Sequence, residues 1–301
     1  MNYVNCNKED LEKEYAALVA EYEEVKGKGL KLNMARGKPG EDQLNLSRPL
    51  LDVINSSTDC ITAHGADCRN YGELAGIDEC KNFFAEIFDV DPSDVMVGGN
   101  SSLNMMFDTI AGFMTKPVVE GCKPWYEVKN RKFLCPAPGY DRHFAITEYF
   151  DFDLIPVPMT ENGPDMDVVE KLVENDDSIK GIWCVPKYSN PLGITFSDET
   201  VKRFAALKPA AKDFRIMWDN AYCVHDVTDT PDELLSLMAE CRKTGNVDLP
   251  IMFTSTSKIT FPGSGVAAMA ASDNNMKVIK NRYQYQVISY DKMNMLRHAR
   301  F

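Results

Sequence analysis

The chain has 301 residues, 44% of them hydrophobic and 26% charged, which suits a globular protein with one large core or two ordinary ones. A formal net charge of −12 argues against nucleic acid or an anionic membrane as the main partner, because both repel an acidic surface. No apolar run approaches the roughly 20 residues of a membrane span, and the polar start "MNYVNCNKEDLEKEY" lacks the apolar core of a signal peptide.

Residues 8–26, "KEDLEKEYAALVAEYEEVK", carry Leu11, Tyr15, Leu18 and Tyr22 at helical spacing, which predicts an amphipathic helix. A Gly/Lys/Pro-rich crossing follows in "GLKLNMARGKPGEDQLNLS". From about residue 79 strands and helices alternate. The strand "DVMVGG" leads to the helix "SSLNMMFDTIAGFM", "RKFLCPAPG" to "YDRHFAITEYF", and "IKGIWCVP" to "SDETVKRFAALKPAA". "FRIMWDNAY" leads to the helix "TPDELLSLMAECRK", and "PIMFTSTSK" closes the set. Short apolar runs alternating with helices predict an α/β fold, with a mostly parallel sheet covered by helices. The last stretch, "MKVIKNRYQYQVISYDKMNMLRHARF", reads as polar and partly helical. The nine cysteines include no Cys-x-x-Cys pair. They suit free thiols in a reducing cytoplasm, and with four scattered histidines they give no metal site.

Ligands of open α/β sheets bind beyond the carboxyl ends of the strands, so those positions carry the search for chemistry. After "DVMV" come Gly98, Gly99, Asn100, Ser101 and Ser102 at a helix start, where free N–H groups favour an anion. A plain serine N-cap is the commonplace alternative. After "KFLC", Tyr140 in "PAPGYD" could stack on a flat ring or simply pack on its own helix. After "GIWCV", Asn190 in "PKYSNPLG" could donate to a ligand oxygen or serve an Asn-Pro turn. After "RIMW", Asp219 in "DNAY" needs a positive partner or a capping role, and Tyr222 could face the same cleft. After "PIMF", the loop "TSTSKITFPGSG" sets a single lysine, Lys258, among Ser255, Thr256 and Ser257. Each position alone favours the plain reading. In order, they supply what one cofactor needs, a phosphorylated pyridine aldehyde held as an imine.

The motifs "GGNSS", "PGYD", "NPLG", "DNAY" and "STSK" resemble those of the fold-type I pyridoxal-phosphate enzymes, above all the class I aminotransferases, from about Leu30 to the chain end. "RGKPGEDQLNLS", "NYGELAGIDE" and "STSKITFPGSG" are similar to the divergent subgroup Ic of aspartate aminotransferases. The resemblance implies pyridoxal 5'-phosphate as cofactor, an imine at Lys258, and Lys258 as the proton-moving base. It implies Asp219 at the pyridine nitrogen, Tyr222 and Asn190 at the ring's phenolic oxygen, and Tyr140 stacked on the ring. Ser101 and Ser102, next to Asn100, would hold the phosphate with Ser255 and Ser257. Tyr71 matches a tyrosine that reaches the phosphate of a neighbouring subunit, so a homodimer with shared sites is implied. Gly37 matches a glycine near the substrate, where Asn190 also lies. The substrates implied are an amino acid, L-aspartate first, and 2-oxoglutarate.

Two departures stand out. The family commonly carries a phosphate-gripping arginine eight residues after the lysine, where this chain has Val266, a loss shared by the divergent branch. The family's C-terminal segment, with the arginine that clamps the substrate α-carboxylate, is not in the sequence. The expected layout is an N-terminal helix and arm over 1–48, belonging to a small domain, and a large cofactor-binding domain over 49–301. Arg36, Arg297 and Arg300 are the candidates for a distal carboxylate. The competing functions are a cofactor-binding effector domain of a transcription regulator and a β-lyase or decarboxylase on the same scaffold, since fold does not choose the reaction.

Overall fold

The computed structural model describes residues 3–32, 38–226 and 228–301. They divide into two compact units, Met1–Gln43 and Leu44–Phe301. In the first, α1 (Lys8–Gly27) starts where the Asn7 side chain accepts from the Asp10 N–H. Glu9 and Asp10 in its first turn favour the helix dipole. The short helix α2 covers Glu41–Leu46.

In the second unit the elements follow in chain order. They are α3 (Asp78–Phe88), β1 (Val95–Val97), α4 (Ser102–Thr115), β2 (Lys132–Ala137), α5 (Asp141–Tyr149), β3 (Asp153–Thr160), β4 (Gly163–Pro164) and α6 (Met166–Asn175). Then come β5 (Ile179–Cys184), α7 (Asp198–Ala205), β6 (Arg215–Asp219), α8 (Leu237–Thr244), β7 (Pro250–Ser255), β8 (Ala267–Ala271), α9 (Asp273–Gln286) and α10 (Lys292–Arg300). Among the described residues the eight strands form one sheet in the order β1-β8-β7-β6-β5-β2-β3-β4. Strands β7, β6, β5, β2 and β3 are parallel neighbours, while β8 and β4 run against theirs.

Both faces of the sheet are covered, which is why its strands read as unbroken apolar runs. Leu134, Ile182, Ile216, Trp218 and Met252 point into one core, against α3, α6, α7, α8 and α10. Phe133, Trp183, Met217, Ile251 and Phe253 point into the other, against α4, α5 and α9. The alternation along each strand assigns successive side chains to opposite cores.

Three segments differ from the sequence expectation. The helix predicted over 230–243 begins only at Leu237, because the Ser236 side chain caps it by accepting from Ala239 N. Strand β3 carries Pro156 and Pro158. Its long partner is β2 alone, and β4 pairs only with Met159 and Thr160, so prolines without N–H groups are tolerated there. Strand β8 is mostly alanine, a weak strand former, and is held by burial between β1 and β7.

Candidate active site

The carboxyl ends of β2, β5, β6 and β7 lie along one edge because those strands are parallel neighbours. Two antiparallel steps through β8 give β1 the same direction, so Gly98–Ser102 reach that edge too. The chain runs outward from β2 to β3 one way and from β5 to β7 the other. The crevice of this switch point, where such sheets hold ligands, is lined by Pro138, Gly139, Tyr140, His143, Trp183 and Asn190.

Lys258 ends a short turn, Thr256–Lys258, directly after β7. The turn is held by its hydroxyls. Ser255 accepts from Ser257 N at 3.4 Å. Thr256 N donates to Val266 O at 2.8 Å, and Thr256 Oγ1 accepts from Val266 N at 2.9 Å. The glycine ending the loop has a steric reason. A Cβ on Gly265 would lie 3.0 Å from Thr256 Oγ1 and 3.2 Å from Ser257 N. The Lys258 side chain is exposed, and its Nζ lies 4.8 Å from the centre of the Tyr222 ring. Its main-chain carbonyl accepts from His225 Nε2 at 3.1 Å.

The turn also meets the start of α4. Ser257 Oγ donates to Asn100 O at 3.2 Å, and Asn100 Nδ2 donates to Gly263 O at 3.2 Å. Ser101 caps α4 by accepting from Asn104 N, and Ser102 is the helix's first residue. The structure thus brings Asn100, Ser101 and Ser102 to the loop of Ser255, Ser257 and Lys258, at a helix start with free N–H groups.

Asp219, the last residue of β6, is buried. Its Oδ2 lies 2.9 Å from His143 Nε2, while Oδ1 is buried with no hydrogen-bond partner among the described residues. A buried acceptor left open is costly unless a donor arrives. His143, on α5, was not singled out in the sequence. Its ring stacks on Trp183 at 4.7 Å and meets the edge of Tyr140 at 5.0 Å. The one local signal is its place three residues after Tyr140, on one helix face. Burial, then the charge of Asp219, raises the Tyr222 phenol above its ordinary value, so it stays an O–H donor at neutral pH.

Asn190 is exposed in the loop after β5, preceding a cis proline. That loop is tied to the one following Tyr222: Lys187 Nζ lies 2.9 Å from Asp226 Oδ1, and the Tyr188 hydroxyl accepts from Asp232 N at 3.1 Å. Tyr71 is 81% exposed. Arg300 is paired with Asp59 at 2.6 Å, and Arg297 Nε is buried without a partner among the described residues. Val266 is buried in the core and leaves no cation at that position. Gly37 and Arg36 lie outside the described residues. No helix among the described residues is long and apolar enough to cross a membrane. No group of three or more His, Cys, Asp or Glu among them could hold a metal ion.

A lysine turn after a parallel strand, a buried aspartate on the next strand and a helix start beside them define the fold-type I class of pyridoxal-phosphate aminotransferases. The aspartate amino-transferase family profile matches residues 6–301, and the chain belongs to that enzyme family. It is 43% identical over 280 residues to an aspartate aminotransferase of Corynebacterium glutamicum, covering 93% of this chain and 64% of that protein. The crystal structure of an aspartate transaminase from the same species superposes with a TM-score of 0.91 at 40% identity, over 98% of this chain and 69% of that one. An α-aminoadipate aminotransferase of Thermus thermophilus, solved with N-(5'-phosphopyridoxyl)-L-leucine, shares the fold at 19% identity, with a TM-score of 0.67 over 88% of this chain and 62% of that one. The chain thus spans about two thirds of the length of these proteins.

Proposed function

We propose that the protein is a pyridoxal 5'-phosphate-dependent aminotransferase that moves the amino group of an L-amino acid, L-aspartate first, to 2-oxoglutarate. One observation carries the reading: the open, buried Oδ1 of Asp219 stands one strand from the Lys258 turn, where a protonated ring nitrogen would satisfy it. The phosphopyridoxyl group named with the Thermus thermophilus relative and the aspartate aminotransferase name of the Corynebacterium glutamicum relative support the cofactor and the substrate.

When bound, the cofactor supplies a carbonyl for an amine and a ring that takes up electrons from the substrate carbon. The residues of this chain do the rest. Asp219 Oδ1 accepts the ring N–H, and His143 fixes the other oxygen and so the plane of the carboxylate. Tyr140 covers the ring, while Tyr222 and Asn190 donate to its phenolic oxygen. Ser101, Ser102, Ser255 and Ser257 offer hydroxyls and N–H groups to the phosphate. Lys258 Nζ holds the cofactor and then moves the proton at the substrate Cα. Tyr71 reaches the phosphate of a second subunit, making the working unit a homodimer. Free cysteines suit a reducing, cytoplasmic setting.

A coupled assay with 2-oxoglutarate tests the substrate class. Aspartate should turn over faster than tyrosine or leucine, because a dicarboxylate is read by a planar arginine fork. Faster rates with tyrosine or leucine would refute the aspartate assignment.

A further inference from the structure

Lys292 opens α10 yet is 3% exposed. Its Nζ donates to Asn70 O at 2.6 Å and to Gly72 O at 2.8 Å. Among the described residues no carboxylate lies within ion-pair distance of it, so its partners are the two carbonyls on either side of Tyr71. Burying an ammonium is unfavourable unless hydrogen bonds replace its water. An ordinary surface turn does not require one.

The turn is fixed from other directions as well. Tyr71 N donates to Asn70 Oδ1 at 2.9 Å, and Gly72 holds φ at +104°, a region that other residues rarely enter. The tip of this braced turn is a tyrosine with 81% of its surface exposed. The same helix holds the lysine loop. Asn294 Nδ2 donates to Ser264 O at 3.2 Å and to Gly265 O at 3.0 Å, and His298 Nε2 lies 3.0 Å from Thr260 Oγ1. One rigid rod therefore sets both the Tyr71 turn and the loop that carries Lys258.

We propose that Lys292 is a positioning residue for Tyr71. Its ammonium gathers the carbonyls of Asn70 and Gly72 and so fixes the direction in which the phenol leaves its own subunit, toward the cofactor phosphate of a second copy. The inference rests on the proposed role of Tyr71, and it adds that Lys292 acts on the cofactor through Tyr71 alone.

A double-mutant cycle on cofactor affinity isolates that coupling. The dissociation constant of pyridoxal 5'-phosphate is measured by visible absorbance for the wild type, Lys292→Met, Tyr71→Phe and the double variant, with circular dichroism to confirm folding. Tyr71→Phe should weaken binding about 10- to 100-fold, the worth of one hydrogen bond to a charged oxygen. Lys292→Met should weaken it about 10-fold when Tyr71 is present and less than about 2-fold when phenylalanine stands at 71, because there is then no phenol left to aim. Losses that add in the double variant overturn the inference and leave the role of Tyr71 intact. Unchanged affinity in Tyr71→Phe overturns that role, and the inference with it. If Lys292→Met does not fold, Gly72→Ala strains the same turn from its other side, and its effect must vanish in the Tyr71→Phe background in the same way.

Discussion

Asp219 is where the chemistry and the structure meet most closely. In the sequence it ends an apolar strand and needs a partner, and the structure supplies half of one. His143 takes Oδ2, and Oδ1 stays open. Asp219→Asn keeps the shape but removes the charge that we propose faces the ring nitrogen. It should bind cofactor and lose about 100-fold or more in turnover, the scale of a lost electrostatic contact at a reacting centre. Steady-state kinetics of the cofactor-loaded variant measure this, and near-wild-type rates would mean that another acid does the work. His143 was not legible in advance, because its role comes from packing on Trp183 and Tyr140, which no spacing along the chain encodes. Ser101 shows the opposite case. Its cap of α4 and the proposed phosphate site are compatible, since a capped helix still offers other free N–H groups.

At the scale of elements, the strands with alternating large apolar residues were legible and those built from prolines or alanines were not. Strand β8 exists because its neighbours bury it, and that is tertiary information. The Lys258 loop was legible as a hydroxyl- and glycine-rich turn after a strand, while its bracing by α10 was not. Gly265→Ala would push a Cβ against the main chain at Ser257, at the distances given above. It should destabilise the protein by about 1–3 kcal/mol, as overpacking does. Urea unfolding of the variant checks it, and unchanged stability would show that the loop relaxes freely.

His298, which holds Thr260 in that loop, gives a pH test. Burial lowers its pKa below the ordinary value of 6.5. The unfolded chain therefore takes up the proton more readily than the folded one as the pH drops below 6.5. Stability conferred by the neutral ring is complete above that value and falls as the pH is lowered toward the folded pKa. Urea midpoints should drop more between pH 7 and pH 5.5 in the wild type than in His298→Leu. Equal drops would contradict the assignment.

For the whole molecule, the parallel sheet with helices on both faces followed from the alternation of apolar runs, and it places five separate motifs on one edge. The division into two compact units after Gln43, by contrast, depends on contacts that composition does not mark. If Tyr71 serves a neighbour's phosphate, sedimentation of the cofactor-loaded protein should give a two-fold dimer, and a cofactor-retaining monomer would contradict the shared site. The central claim is that this fold presents Lys258 to pyridoxal 5'-phosphate, and one measurement addresses it most directly. The protein is loaded with the cofactor, reduced with borohydride, digested, and its peptides are sequenced by mass spectrometry. The account predicts a yellow protein whose colour is lost on reduction and a single phosphopyridoxyl group fixed on Lys258. Label on another lysine, or a protein that takes up no cofactor, would contradict it.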